Sequence, residues 1–143
     1  MEYHIQLIEQ FDARLICPIN QLLGQLTSRQ IEFSADDLQR LIESDSSHLF
    51  ILSAGDTIAG MLTLGVYLSP TGRKVWIEDV VVDSHFRGQG LGHRLVGYAV
   101  EYARRFSPCK IALTSNPLRI EANKLYRSEG FEQRCTNVYK MDI

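Results

Sequence analysis

The stretch DSHFRGQGLGHRL, residues 83–95, decides how this chain is read. Gly88, Gly90 and Gly92 stand at alternate positions, just after the apolar run VWIEDVVV of residues 75–82. Beyond them, Leu91, Leu95, Ala99, Ala103 and Phe106 recur at the spacing of one helix face. The glycines therefore occupy a strand-to-helix turn. A helix N-terminus leaves about four N–H groups without partners and carries about half a positive charge. Glycines there let an anion approach those groups unobstructed, and Arg87 and Arg94 add charge. The predicted guest is a pyrophosphate.

Two common glycine motifs do not fit. The dinucleotide fingerprint GxGxxG requires glycine at position 93, which is His93. The P-loop requires Gly-Lys-Ser/Thr, and Gly92 is followed by His93 and Arg94.

Working outward, YHIQLIEQ alternates as a half-buried strand does. Asp12 is placed to cap a helix with Leu15, Ile19, Leu22, Leu23 and Leu26 on one face, and Pro18 predicts a late start or a kink. Ser34, with Asp37 three residues on, signals a second helix carrying Leu38, Leu41 and Ile42. HLFILSA, TIAGMLTLGVYL and KVWIEDVVVD read as strands joined by the turns GD and SPTGR. After the helix that begins near Gly90, CKIALTS is a strand and PLRIEANKLYRSEG a helix. FEQRCTNVYKMDI is predicted to close the chain as a strand. The expected fold is α/β, a single domain over residues 1–143, with a mixed central sheet of about six strands and about four flanking helices.

The chain has 143 residues, a net charge of −2 and 22% charged residues. That balance gives no global attraction to nucleic acid or to an anionic membrane. No window is long and apolar enough to predict a membrane span, and the N-terminus lacks the pattern of a signal peptide. Cys17, Cys109 and Cys135 are odd in number and lack metal spacing, so no metal site is expected and free thiols in a reducing cytoplasm are. A homodimer is compatible with these observations.

Arg87-x-x-Gly90-x-Gly92, following DVVVD, resembles the acetyl-CoA signature of the GNAT superfamily of N-acyltransferases. Ala122, Leu125, Tyr126, Gly130 and Phe131 are similar to that family's second signature, and they follow in the same order. The resemblance covers residues 48–143; residues 1–47 fit only in the order of their elements. It implies a GNAT fold and acetyl transfer from acetyl-CoA to a primary amine, of a small molecule or of a protein. It further implies that the backbone of Val80, Val81 and Val82 pairs with the pantetheine arm. The residues Gly88, Gln89, Gly90, Leu91 and Gly92 would then wrap the pyrophosphate beside Arg87, with Asn123 near the cofactor.

Amine acetylation requires removal of a proton from an ammonium whose pKa is near 10 and protonation of the departing thiolate. Tyr126 stands where the family places its general acid. Glu78 is the candidate base. In a regular strand it would share a face with Trp76, Val80 and Val82, and two adjacent carboxylates mid-strand imply a bulge or a wet cleft. Arg119 holds the place where the family more often has asparagine, and Asn116 lies earlier. Asn116 and Arg119 therefore become candidates for the acceptor, with Arg119 recognising an acidic group. A non-catalytic acyl-CoA-binding module, or a subunit completed by a partner chain, is the competing reading.

Overall fold

The computed structural model describes residues 2–143. Strands β1 (Tyr3–Leu7), β2 (Ser47–Ala54), β3 (Thr57–Ser69), β4 (Gly72–Val82) and β5 (Cys109–Ala112) form one sheet in chain order. The first three pairings are antiparallel and β4–β5 is parallel. Parallel neighbours need a crossover, and α3 (Leu91–Ala103) supplies it. Helices α1 (Ile16–Leu26) and α2 (Ala35–Glu43) cover one face of the sheet, while α3 and α4 (Ile120–Ser128) cover the other.

Burial on both faces explains why β2 is apolar without alternation. Leu49 and Ile51 pack toward α1 and α2, whereas Phe50 and Leu52 pack toward α3. The N-terminal helix starts late, as Pro18 predicts. Asp12 caps a short 3-10 turn (Ala13–Leu15) by accepting the Arg14 N–H at 2.9 Å, and α1 follows with Pro18 in its first turn, where no N–H is needed. At α2 the expected cap is reciprocal. Ser34 Oγ accepts the Asp37 N–H at 3.1 Å, and Asp37 Oδ2 accepts the Ser34 N–H at 2.9 Å.

The predicted C-terminal strand is not formed. Residues 131–143 adopt neither strand nor helix, and residues 132–143 are exposed, so the sheet has five strands. Alternation makes a segment competent to pair; a strand exists only where its N–H and C=O groups find an edge. Here β5 offers just four residues, all engaged with β4 on one side, and no described segment pairs with the other side.

Replacing Ser34 by alanine removes one half of the reciprocal cap. The expected loss is about 1 kcal/mol of stability, read as a lower urea midpoint with unchanged slope.

Candidate active site

The site begins with one extra residue in β4. Glu78 pairs with Thr63 and Val81 with Met61, so three steps on β4 face two on β3. Asp79 is the residue accommodated, with φ 53, a left-handed conformation that aspartate tolerates better than most residues. Gly60 makes room for this bulge: a Cβ there would lie 2.8 Å from the Val81 carbonyl oxygen. The bulge reverses the strand's phase. Ile77 packs toward α3, Val80 and Val82 also lean on that core, and Val81 points to the α1 side. Glu78 therefore does not share a face with Val80 and Val82, as a regular strand would require.

Just before the bulge, β4 also parts from β5. Their pairing runs from Arg73 with Cys109 to Trp76 with Ala112 and stops, while β4 continues to Val82. The edge of Ile77–Val82 that faces away from β3 has no strand partner. A cleft of about 430 Å³ opens there. Glu78, Asp79 and Val80 form its floor, Leu26 and Arg29 come from the α1 side, and Leu113, Arg119 and Tyr126 from the side of β5 and α4.

Two titratable groups in the cleft have displaced pKa values. Burial, and then the negative charge of neighbouring Asp79, push the Glu78 carboxyl above its ordinary value of 4.5. Glu78 is in no ion pair with Arg73, Arg119 or any other described residue; Arg73 instead donates to the Phe106 carbonyl at 3.4 Å. Burial raises the Tyr126 phenol above 10.0, against a smaller lowering by the Arg119 charge. The Tyr126 residue is 8% exposed, and its hydroxyl has no hydrogen-bond partner among the described residues.

Local chain geometry aims that ring. Gly130, at φ 100, ends α4. The Phe131 N–H reaches the Tyr126 carbonyl at 3.0 Å and the Gly130 N–H reaches the Arg127 carbonyl at 3.1 Å. These two bonds make a Schellman cap. The cap folds the Phe131 ring edge-on against Tyr126, with centroids 6.2 Å apart. Tyr-x-x-x-Gly-Phe is thus a helix end that clamps its own tyrosine.

At the glycine turn, Gly88 and Gly90 have φ of 80 and 75, and Gly90 is the N-cap of α3. The first intrahelical bond is Arg94 N–H to the Gly90 carbonyl, so the N–H groups of Leu91, Gly92 and His93 lack helix partners. Arg87 Nε donates to the Val82 carbonyl at 3.1 Å, and Gln89 Oε1 accepts from the Tyr3 hydroxyl. Gln25 at the end of α1 braces the turn from below: its amide donates to Asp83 and accepts from the Ser84 N–H, both at 2.8 Å. Gln25 chiefly, and the His85 N–H next, hold the Asp83 carboxyl below its usual range.

Several sequence-based assignments change in detail. Leu91 is 2% exposed and its side chain belongs to the core, which leaves only its N–H for a ligand. Gly92 has a packing reason of its own, since a Cβ there would lie 2.9 Å from Leu125 Cδ1 on α4. Asn116 and Asn123 do not border the cleft. Asn116 Oδ1 accepts the Leu118 N–H at 2.9 Å and Asn123 Nδ2 donates to the Asn116 carbonyl at 3.1 Å, so they brace the turn that carries Arg119. Sequence reasoning missed Arg29, Gly60 and Gln25. Each sits outside any motif; Gly60 and Gln25 meet partners distant in the chain, and Arg29 is brought to the cleft by the fold.

With this geometry in place, comparison with known proteins identifies the family. The sequence profile of the acetyltransferase (GNAT) family matches residues 18–131, and the chain belongs to that family. Its members use acetyl-CoA as acyl donor. It is 32% identical over 103 residues to glucosamine 6-phosphate N-acetyltransferase 1 of Oryza sativa subsp. japonica, covering 67% of this chain and 60% of that protein. It is 28% identical over 101 residues to N-acetyltransferase 8B of Rattus norvegicus, covering 69% of this chain and 46% of that one. The chain thus matches about half to three-fifths of the length of these relatives. In fold, it superposes on the crystal structure of glucosamine-6-phosphate N-acetyltransferase from Arabidopsis thaliana with a TM-score of 0.81 at 21% identity, over 99% of both chains.

Gly60→Ala tests whether the bulge needs the missing Cβ. The clash with the Val81 carbonyl is expected to destabilise the fold by roughly 1–3 kcal/mol, measured by denaturant unfolding. Gly24→Ala, whose Cβ would meet nothing within 4 Å, serves as the control and should not reproduce that loss.

Proposed function

We propose that the protein transfers the acetyl group of acetyl-CoA directly to a small primary amine, with Glu78 as general base and Tyr126 as general acid. One observation carries this reading: an unpaired carboxylate and an unpartnered phenol face one cleft, beside a strand edge that lacks its partner.

The residues present suit acetyl-CoA. The open edge of Val80–Val82 offers backbone groups to an extended amide-bearing arm, and the free amides of Leu91–His93 suit a pyrophosphate. Arg87, tied through Nε to the end of β4, keeps its remaining N–H groups for phosphate oxygens. Bound there, acetyl-CoA supplies an activated thioester carbonyl.

Glu78 accepts the proton that the amine loses on attack, directly or through a water. Its raised pKa brings it nearer to neutrality than an ordinary carboxylate, which improves it as a base. A backbone N–H at Val80 or Val81 stabilises the oxyanion. Tyr126 donates its phenolic proton to the leaving thiolate, and burial keeps that phenol protonated. A cysteine relay finds no support. Cys17 and Cys135 are exposed away from the cleft, and Cys109 points its thiol at the Ala103 carbonyl, 3.7 Å away. The names of the rice and Arabidopsis proteins specify an amino sugar for those enzymes, and a small-molecule amine is the acceptor class adopted here.

Tyr126→Phe is expected to lower kcat about a hundredfold, with acetyl-CoA affinity by calorimetry within about twofold of wild type. Equal activity would remove Tyr126 as the acid. In wild type, kcat/KM falls as pH drops through the Glu78 pKa, above 4.5, because the base must be ionised. Glu78→Gln should abolish that acid limb and lower kcat/KM at neutral pH about a hundredfold or more. Tight acetyl-CoA binding with no turnover of any amine would favour the acyl-CoA-binding module instead.

A further inference from the structure

The cleft carries more charge than acetyl transfer requires. Arg29 enters it from the segment after α1, and Arg119 from the turn before α4, so the two guanidiniums come from opposite faces of the sheet. Neither is in an ion pair among the described residues. What sets these two apart from the other unpaired arginines, such as Arg40 and Arg127, is that both line the cleft that holds Glu78. Glu78 and Asp79, on the floor of the same cleft, are likewise in no ion pair.

Two cations and two anions thus line one cavity of about 430 Å³ without neutralising each other. Such an arrangement complements a ligand that carries both signs of charge. An ammonium belongs near the carboxylates, where the base is. An anionic group belongs at the guanidiniums, whose planar forks match the oxygens of phosphate and carboxylate. A polycationic amine would place a second ammonium against Arg29 and Arg119, which costs attraction.

We propose that the acceptor is a small primary amine bearing a phosphate or carboxylate group, and that Arg29 and Arg119 together hold that group while the amine faces Glu78. This rests on the acetyltransferase reading above and deepens it. Arg119 is held for the task by its own turn: the Asn116 and Asn123 amides and the Arg119-to-Asn116 backbone bond of 3.0 Å fix its position. Arg29 is carried by a segment whose N–H reaches back to Thr27 Oγ1 at 3.2 Å.

The test uses the full chain and amines that differ only in their anionic group. The pairs are ethanolamine with O-phosphoethanolamine, an aminohexose with its 6-phosphate, and an α-amino acid amide with the free acid; spermidine is the polycation. Calorimetric binding of acetyl-CoA is measured first, in wild type and variants. In at least one pair the anionic member is expected to have a kcat/KM about tenfold or more above its parent. Arg29→Gln and Arg119→Gln should each lower that ratio about tenfold through the acceptor KM, with the acetyl-CoA KM within about twofold. The phosphate and carboxylate pairs then tell which anion is preferred. Preference for neutral amines or for spermidine, or a ratio that survives in both variants, overturns the inference while leaving acetyl transfer intact. Failure to acetylate any amine in the panel, with acetyl-CoA bound, overturns both.

Discussion

One misfit residue organises this protein. β3 and β4 cannot stay in register between Glu78 and Val81, because Asp79 is extra. A bulge of this kind bends and twists its strand, and here it comes where β4 leaves β5. An edge of a sheet is thereby left open in the interior of a domain, flanked by apolar packing on both faces. That open edge is what an extended ligand can fill. The same residue reverses the phase of β4, so Val81 anchors the α1 side and Val80 the α3 side. Glu78 and Asp79 are left facing the space between.

The second half of the site is aimed by a helix end. Gly130 and Phe131 close α4 with a Schellman cap, and Phe131 presses on Tyr126. Gly92 lets α3 approach Leu125 closely, and His93 meets Glu129 at 3.2 Å, so α4 is tied to the start of the helix that follows the glycine turn. The turn itself is fastened to α1 through Gln25 and Asp83. The candidate acid and the candidate anion cradle therefore belong to one packed unit, and positioning in it relies on short contacts more than on charge.

Electrostatics in the cleft run the other way, through charges left apart. Burial and Asp79 push the Glu78 carboxyl above its ordinary pKa, and burial raises the Tyr126 phenol despite Arg119. An ion pair between Glu78 and Arg119 would stabilise the carboxylate and reduce its basicity. In the proposed reaction, its absence leaves both groups free to meet the acceptor.

Local chemistry in the sequence already specified a good deal. The caps at Ser34 and Gly130, the late start of α1 at Pro18, and the strand–glycine–helix junction at residues 82–91 depend on neighbours a few positions away, and they stand as read. The family was legible for the same reason, since both signatures are runs of adjacent residues. Long-range contact settled the rest. Phe131–Ile143 reads as a strand yet pairs with none of the sheet's edges, because pairing depends on long-range contact that the segment itself does not encode. Asn116 and Asn123, candidates for ligand contact by motif, bond to the turn before Arg119, an arrangement that only the fold reveals. Arg29 and Arg119 lie far apart in the chain, and a guanidinium's partner is chosen by space, which the order of residues does not encode locally.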